Sequence, residues 1–284
     1  MPHYKKRGVM SYFDHPELPS APAEDTVIWR YLSLAEFLNT LYQRTLHFTR
    51  VDRLCDSFLD IENLVALSAH SGIQTESTRR SLALMKSVQS AVFANSWYEN
   101  DSHAHLRWEI HGGNYEVAIR STVNTLKKAL SASSQKVYIS RVQYIDFASV
   151  PMPTGNVFLP ALHKQHELRN EKELRMLLLQ TGGQTVFSPG PERGIDVSVE
   201  TASLIKGVRV TPRSASWFRR LVASIAERYS LNFEDNNSVA TSRPSLCRFR
   251  TANGCSCSSR TRSVESLRPI NFAQQTCARR KELV

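Results

Sequence analysis

The sequence predicts an α+β (mixed α/β) fold, a single domain with a central mixed sheet flanked by helices. Along residues 26–231, short apolar segments alternate with segments of helical periodicity. The chain has 284 residues, 41% of them hydrophobic, which is enough for one sizeable core. Residues 1–25 and 232–284 lack this periodicity, so we expect a flexible N-terminal arm and a disordered basic Ser/Arg/Cys tail.

Strands and helices alternate in the first half of the domain. Ser33 followed by Glu36 forms a capping box, which predicts that a helix begins at Leu34. Leu82, Met85 and Val88 recur at helical spacing and predict an amphipathic second helix. The predicted elements are strands over 26–33, 45–51, 92–98 and 115–121, and helices over 34–43, 75–91 and 102–111.

The second half contains the most charged segment of the domain. Ser121 and Thr122 can cap the next predicted helix, and Ser214 can cap the last one. The run "LRMLLLQ" predicts a buried strand over 174–180 because it is apolar and short. The other predicted elements are strands over 136–147 and 203–212, and helices over 123–130, 161–170 and 216–230.

The positive charge is concentrated at the C-terminus. The formal net charge is +10, but nine Lys and Arg residues and three acidic residues follow from Asp235 onward, leaving +4 on the rest. We therefore expect no nucleic-acid binding beyond a weak contribution of the tail. No signal peptide and no apolar run of membrane-spanning length is evident. These observations predict a soluble, cytoplasmic protein without a membrane partner.

The segment "KQHELRNEKELRMLLL" places charges directly before the buried strand. In an extended chain alternate side chains share a face, which would align Glu171, Glu173 and Arg175. One interpretation is a buried ion-pair network in which Arg175 or Arg30 neutralises the acids. The other is a functional site. We expect Glu173 to face an open pocket and Glu171 to be structural, paired with Lys164 or Arg169.

The motifs resemble, in order and spacing, a microbial family known only as domain of unknown function 2971. The resemblance covers residues 26–231 and rests on "IWRYLSLAEFL", "LHFTRVDRLCDSF", "ANSWYENDSHAHLRW", "EVAIRST", "VQYIDF", "LHKQHELRNEKELRMLL" and "VRVTPRSASWFRRLV". The residues that match the family pattern are Trp97, Trp108, Lys164, Glu171, Glu173 and Arg175. The chain departs from the pattern at His103 and Ala104, where members carry Glu-Ser.

The leading hypothesis is a pocket for a phosphate-bearing, nucleotide-like ligand. The candidate ligand-binding residues are Lys164, Glu171, Arg175, Trp97, Trp108 and Ser121, and the candidate catalytic residues are Glu173 and Arg30. ADP-ribosyl transfer would use these types in this chain order. Arg30 would hold the pyrophosphate of NAD, Ser121 or Thr122 would lie on a middle strand, and Glu173 would support the cationic sugar. The residues themselves identify no cofactor.

Two alternatives compete with this hypothesis. The first is a non-enzymatic interaction module, in which the E-x-E-x-R segment is structural. The second is a metal-dependent nuclease using Asp52 or Asp56 with Glu171, but Glu171 and Lys172 are adjacent and would face opposite ways on a strand. We predict no metal site, because His103, His105 and His111 do not share a helix face and Cys255 and Cys257 lack zinc-site spacing.

Overall fold

The computed structural model describes residues 12–13, 15–54, 76–99, 108, 115–147, 149–150, 153, 156–180 and 194–235. The strands are β1 (Tyr12–Phe13), β2 (Val27–Ser33), β3 (Thr45–Arg50), β4 (Val92–Glu99), β5 (Glu116–Thr122), β6 (Val137–Arg141), β7 (Gln143–Ile145), β8 (His163–Gln165), β9 (Glu173–Leu179), β10 (Ile195–Ser198) and β11 (Gly207–Val210). The helices are α1 (Leu34–Gln43), α2 (Glu76–Ala91), α3 (Val123–Ala129), α4 (Thr201–Leu204) and α5 (Ser216–Arg228). This is the predicted α+β fold.

Within the described residues, nine strands form one sheet. Seven of them follow the order β1-β6-β9-β4-β2-β5-β11, and β3 branches from β4 and pairs with β10. All pairs in this sheet are antiparallel except β1 with β6. The remaining strands, β7 and β8, form a separate parallel pair. The order is not sequential, so most neighbours in the sheet come from distant parts of the chain.

The sheet divides along one edge of β4. The first half of β4 pairs with β3, where Ala94 lies opposite Thr49. Its last two residues pair with β2, where Tyr98 lies opposite Trp29. The stretch Asn95–Trp97 therefore has no strand-pairing partner on this edge, between the ends of β2 and β3, and we call this place the fork. The Asn95 side chain donates to the His47 carbonyl of β3 across it, and the other edge of β4 pairs along its length with β9.

The main hydrophobic core lies between one face of the sheet and three helices. Its helical members include Phe37, Leu126 and Phe218, which are fully buried. Apolar residues recur along these helices on the face toward the sheet, and their burial stabilises each helix against the sheet. A smaller cluster on the opposite face includes Phe158 and Leu177. The fold therefore has a three-layer character near β4 and β9.

The predicted capping box is confirmed at the start of α1. The Glu36 N–H donates to the Ser33 hydroxyl at 3.2 Å, and the Ser33 N–H donates to the Glu36 carboxylate at 2.8 Å. Thr122, one of the two predicted caps, occupies the N-cap position of α3 with the same reciprocal geometry to Thr125. These local signals work because a helix start needs acceptors for N–H groups that have no partner within the helix.

Other local predictions were wrong. The predicted helix over 161–170 is a 3₁₀ turn, the short strand β8 and a second 3₁₀ turn, Leu159–Leu162 and His166–Glu171 flanking β8. Ser214 does not cap α5, whose N-cap is Ala215 without a side-chain bond. The predicted strand over 136–147 is interrupted at Val142 and gives β6 and β7. The predicted strand over 203–212 forms only at β11. Its first two residues instead belong to α4, which ends at Leu204.

The described ends of the domain make specific contacts. In the segment predicted to be a flexible arm, β1 pairs with β6 and the Pro19 carbonyl accepts from Ser140. Beyond residue 231, Phe233 forms a parallel bridge with Val208. The predicted helix over 102–111, apart from Trp108, the side chains of Leu82 and Met85, and the tail after Asp235 lie outside the described residues. Among the helices described, none has the length and apolar character to cross a membrane.

Candidate functional site

Four charged side chains form one network beside the start of β9. We call Lys164, Glu171, Glu173 and Arg175 the ion-pair row. Glu173 and Arg175 are two residues apart on β9 and share a face, as strand alternation predicts. Arg175 donates from Nε to Glu173 Oε1 at 2.7 Å and from a terminal nitrogen to Glu173 Oε2 at 3.1 Å. Both side chains are only 2% exposed.

Lys164 joins the two carboxylates of the row. Its Nζ lies 2.6 Å from Glu171 Oε2 and 3.1 Å from Glu173 Oε2. Glu171 thus pairs with one of the two residues that the sequence offered, Lys164 rather than Arg169. It does not extend the strand, because Glu171 ends a 3₁₀ turn and Lys172 has a left-handed backbone with φ 46°. The predicted alignment of three charges on one strand therefore fails at Glu171.

The expectation that Glu173 faces an open pocket was wrong. Burial alone would raise the pKa of its carboxyl, but the positive charges of Arg175 and Lys164, with hydrogen bonds from Arg175 and Ser96, outweigh that effect. The pKa of Glu173 is held well below its ordinary value, so the carboxylate stays charged although it is buried. Two acids and two bases balance within the row, as a buried network requires.

Tyr144, on β7, contacts the ion-pair row at Glu173. Its hydroxyl accepts a hydrogen bond from the Glu173 N–H at 2.9 Å. Burial, followed by the negative charge of Glu173, raises the pKa of Tyr144 above its ordinary value, so the phenol remains neutral. Arg175 also donates to the Ala161 carbonyl at 2.6 Å. The row is therefore fixed to two further segments of the chain, β7 through Tyr144 and the turn before β8 through Ala161.

Arg30 reaches the fork from β2. Its guanidinium donates to the Ser96 carbonyl at 2.8 Å, and the Ser96 side chain hydrogen-bonds the Glu173 carboxylate on the other side of β4. Burial lowers the pKa of Arg30, while Glu36 and then Tyr98 act against this lowering. Among the residues the structure describes, no carboxylate lies within ion-pair distance of Arg30. Ser96 thus connects the two predicted catalytic residues.

The other predicted site residues contact protein groups in the described part of the chain. Trp97 is a fully buried member of the main core, and its indole N–H donates to Asn95 at 2.8 Å. Trp108 packs edge to face against Tyr31, in a cluster with Trp29. Ser121 is buried and donates to the Leu204 carbonyl at 2.7 Å. Trp97 and Ser121 therefore have structural partners in place of a ligand.

Sequence reasoning missed Ser96 and Tyr144. Ser96 lies beside another polar residue, Asn95, in a largely apolar strand, and its position becomes informative only through its register opposite Arg175. Tyr144 belonged to a strand that was expected to continue from β6. No local pattern marks either residue, because both act through partners that are distant in sequence.

The described residues also bear on the nuclease alternative. Asp52 is paired with Arg50, whose Nε lies 2.7 Å from Asp52 Oδ1. No group of three or more His, Cys, Asp or Glu residues suited to a metal ion is found in the described part of the chain. Outside that part lie Asp56, the histidines at 103, 105 and 111 that the sequence analysis rejected as ligands, and the cysteines at 255 and 257.

The comparisons with known proteins give one similarity in structure. No protein-family model matches the chain, so the resemblance to domain of unknown function 2971 stays a prediction. No curated protein matches it either. A solved structure of DarT from Thermus sp. 2.9, in complex with NAD+, is similar with a TM-score of 0.37 and 10% sequence identity. The alignment covers 77% of this chain and 98% of that chain.

Proposed function

We propose that this domain binds a phosphate-bearing, nucleotide-like ligand and that Arg30 holds its phosphate at the fork. The observation that carries the proposal is the guanidinium of Arg30, which is partly buried and donates to the Ser96 carbonyl. Among the described residues it has no carboxylate partner. A guanidinium has five N–H donors, and most of those on Arg30 have no partner among the described residues, so they can bind an anion. Phosphate oxygens suit this planar group because two can be held at once.

The position of Arg30 also supports anion binding. A partly buried cation is costly unless it is compensated, and a bound anion would add to the partial compensation that Glu36 provides. The fork separates β2 from β3, so the Ser96 carbonyl is bonded by the Arg30 guanidinium and not by a paired strand. Glu36 influences Arg30 electrostatically, but its carboxylate hydrogen-bonds the backbone and hydroxyl of Ser33.

ADP-ribosyl transfer is the finer form of this proposal. In that reaction Arg30 would hold the pyrophosphate and Glu173, charged and linked to Arg30 through Ser96, would stabilise positive charge on the sugar. Glu173 is enclosed by Arg175 and Lys164, so it would act through the field of the row unless Lys164 moves away. The geometry therefore favours ligand binding at Arg30 over a direct chemical role for Glu173.

The test compares ligands with and without phosphate. The thermal stability of the full chain would be measured with NAD+, ADP-ribose, ATP and adenosine, since a ligand at 100 times its Kd adds about 2.7 kcal/mol of stability. We expect the phosphate-bearing compounds to stabilise the wild-type protein and adenosine to have a smaller effect. Arg30→Gln should weaken their binding by about tenfold or more, as expected for loss of a charged hydrogen bond.

The control variant is Arg44→Gln, because Arg44 is an exposed arginine at the end of α1. It should bind as the wild-type protein does. Equal binding by Arg30→Gln and the wild-type protein would contradict the assignment of Arg30. Absence of stabilisation by every phosphate compound would contradict the proposal as a whole. Circular dichroism of each variant would confirm that it is folded before binding is compared.

A second candidate function is a non-enzymatic interaction module. It is favoured by the ion-pair row itself, in which Glu173 and Arg175 are buried and satisfied by one another. Under this alternative the row is a scaffold and a partner binds another surface. It predicts that none of the phosphate compounds stabilises the protein.

A further inference from the structure

The outer face of α5 exposes two large apolar side chains. Trp217 is 52% exposed and Leu221 is 41% exposed. With Ser224 and Arg228 they follow the spacing i, i+4, i+7 and i+11, which places all four on one side of the helix. All four are exposed. We call them the outer stripe.

Trp217 is held in place by a second exposed aromatic residue. Tyr115, which is 51% exposed, lies 5.3 Å from Trp217 between ring centroids. The same Tyr115 ring contacts Phe218, a fully buried member of the main core. Trp217 is thus supported on the fold and loses little conformational freedom when a partner covers it. Trp, Tyr and Arg are the residue types that most often dominate the energetics of protein interfaces.

Positive charge surrounds the outer stripe. Residues 213–228 contain four arginines and one glutamate. Arg220 and Arg228 are exposed, and neither has an ion-pair partner among the residues described here. They are eight residues apart on α5, a separation of about 12 Å along the helix axis at 1.5 Å per residue. The surface therefore combines an apolar centre with two separated cations.

We propose that the outer stripe is a docking surface for an acidic, amphipathic segment of a partner protein. Its apolar side chains would cover Trp217 and Leu221, and its carboxylates would pair with Arg220 and Arg228. Charge complementarity distinguishes this occupant from two others. The chain's own tail carries nine basic and three acidic residues, and a second copy would bring arginines against arginines. The inference does not depend on the proposed ligand at Arg30.

The aliphatic part of the stripe favours a protein over a nucleic acid. Binding of single strands relies on bases stacked on successive aromatic side chains. Here Leu221 follows Trp217 along the stripe, and a leucine offers no face for stacking. Leucine and tryptophan together are instead typical of apolar surfaces that bind the apolar face of an amphipathic helix.

The experiment uses the full chain and a fluorescent peptide built only from Leu and Glu, with Leu at helical spacing. Fluorescence anisotropy should show binding that weakens with added salt, because carboxylate contacts to exposed arginines are screened. Trp217→Ala should weaken binding by about 30-fold, which is the size of an interface hot spot of about 2 kcal/mol. Exchanging both Arg220 and Arg228 for Gln should reduce the salt dependence, because the carboxylate contacts are lost without adding repulsion.

The controls lie elsewhere on the surface. Tyr42→Ala removes an aromatic residue of α1 that is 78% exposed, and Lys128→Glu reverses an exposed charge on α3. Both should bind the peptide as the wild-type protein does. The proposal is overturned if the peptide does not bind, if Trp217→Ala binds equally well, or if a matching Leu and Lys peptide binds as tightly. It is also overturned if the stripe variants instead abolish binding to oligothymidylate or to anionic vesicles, or abolish self-association.

Discussion

Glu173 keeps its charge in a place where burial opposes it. Two cations, Arg175 and Lys164, approach the carboxylate, and the Ser96 hydroxyl adds a hydrogen bond. A buried ion pair contributes little by itself, because desolvation offsets most of the attraction. Removing any one member of the network is costly, because it leaves a buried charge without its partner. Glu173 contacts β7 through Tyr144 and β8 through Lys164. The network therefore stabilises the position of β9 relative to these two strands.

Glu173→Gln is expected to destabilise the protein by about 3 to 5 kcal/mol, because Arg175 and Lys164 would share a single remaining carboxylate. Glu171→Gln is the matched control. Glu171 is more exposed than Glu173 and contacts Lys164, so its loss should cost about 1 kcal/mol or less after allowance for screening. Urea denaturation of both variants and the wild-type protein measures the difference. Equal losses at the two positions would mean that the row acts as one unit.

The same variant should change how stability depends on pH. The folded pKa of Glu173 lies below its unfolded value, so the unfolded state binds more protons. The contribution of Glu173 is present above the unfolded glutamate pKa of about 4.3 and is lost as the pH falls below it. Glu173→Gln should therefore show a shallower decrease in stability between neutral and acid pH than the wild-type protein. An unchanged slope would contradict the depressed pKa.

At the residue scale, the sequence identified the interacting residues more accurately than it predicted what surrounds them. Glu173 and Arg175 share a face because strand alternation depends only on the local backbone. Glu171 was misplaced because Lys172 adopts a left-handed backbone, which the residue type does not announce. Ser96, the link to Arg30, depends on the pairing of β4 with β9, and such pairing joins residues far apart in the chain.

At the scale of elements, local capping signals were reliable only where the side chain reaches the helix. Ser33 is the N-cap of α1 and bonds the Glu36 N–H. Ser214 precedes α5 by two positions, and its buried hydroxyl has no hydrogen-bond partner among the described residues. The sequence offers the same residue type before both helices. The backbone decides which one caps, because Ala215 takes the N-cap position.

Ser33→Ala is accordingly expected to cost about 1 kcal/mol, the usual contribution of a helix N-cap. Ser214→Ala should leave stability unchanged or raise it slightly, because it removes a buried hydroxyl that lacks a partner. Thermal unfolding followed by circular dichroism compares the two variants directly. A larger loss for Ser214→Ala than for Ser33→Ala would contradict the assignment of the caps.

At the scale of the whole molecule, apolar periodicity predicted the fold class but could not predict the order of the strands. Alternation reports which face of a strand is buried and is silent about its neighbour. The branch at β4, where β3 and β2 each pair with part of one strand, has no sequence signal, and the fork follows from it. The segment after α5 shows the same limit, since its contacts are with β11 and β5.

The folded domain continues past residue 231, through Glu234. Leu231 and Phe233 pack against the main core, and Glu234 pairs with both Arg120 and Arg209. The Val208 N–H donates to the Asn232 carbonyl at 2.8 Å, and the Glu234 N–H donates to the Val208 carbonyl at 2.8 Å. These contacts lie beyond the boundary at residue 231 that apolar periodicity predicts, because a short edge segment shows no period of its own.

Two truncated proteins separate the end of the domain from the tail. Deleting residues 236–284 should leave the melting temperature nearly unchanged, because their composition offers no apolar face to pack. Deleting residues 231–284 should cost a further 2 to 4 kcal/mol, roughly the sum of two partly buried apolar side chains and two backbone hydrogen bonds. Calorimetry of both proteins measures the step between them. Equal melting temperatures would show that Leu231–Glu234 adds nothing to stability, whereas a large loss on removing 236–284 alone would show that the tail packs on the domain.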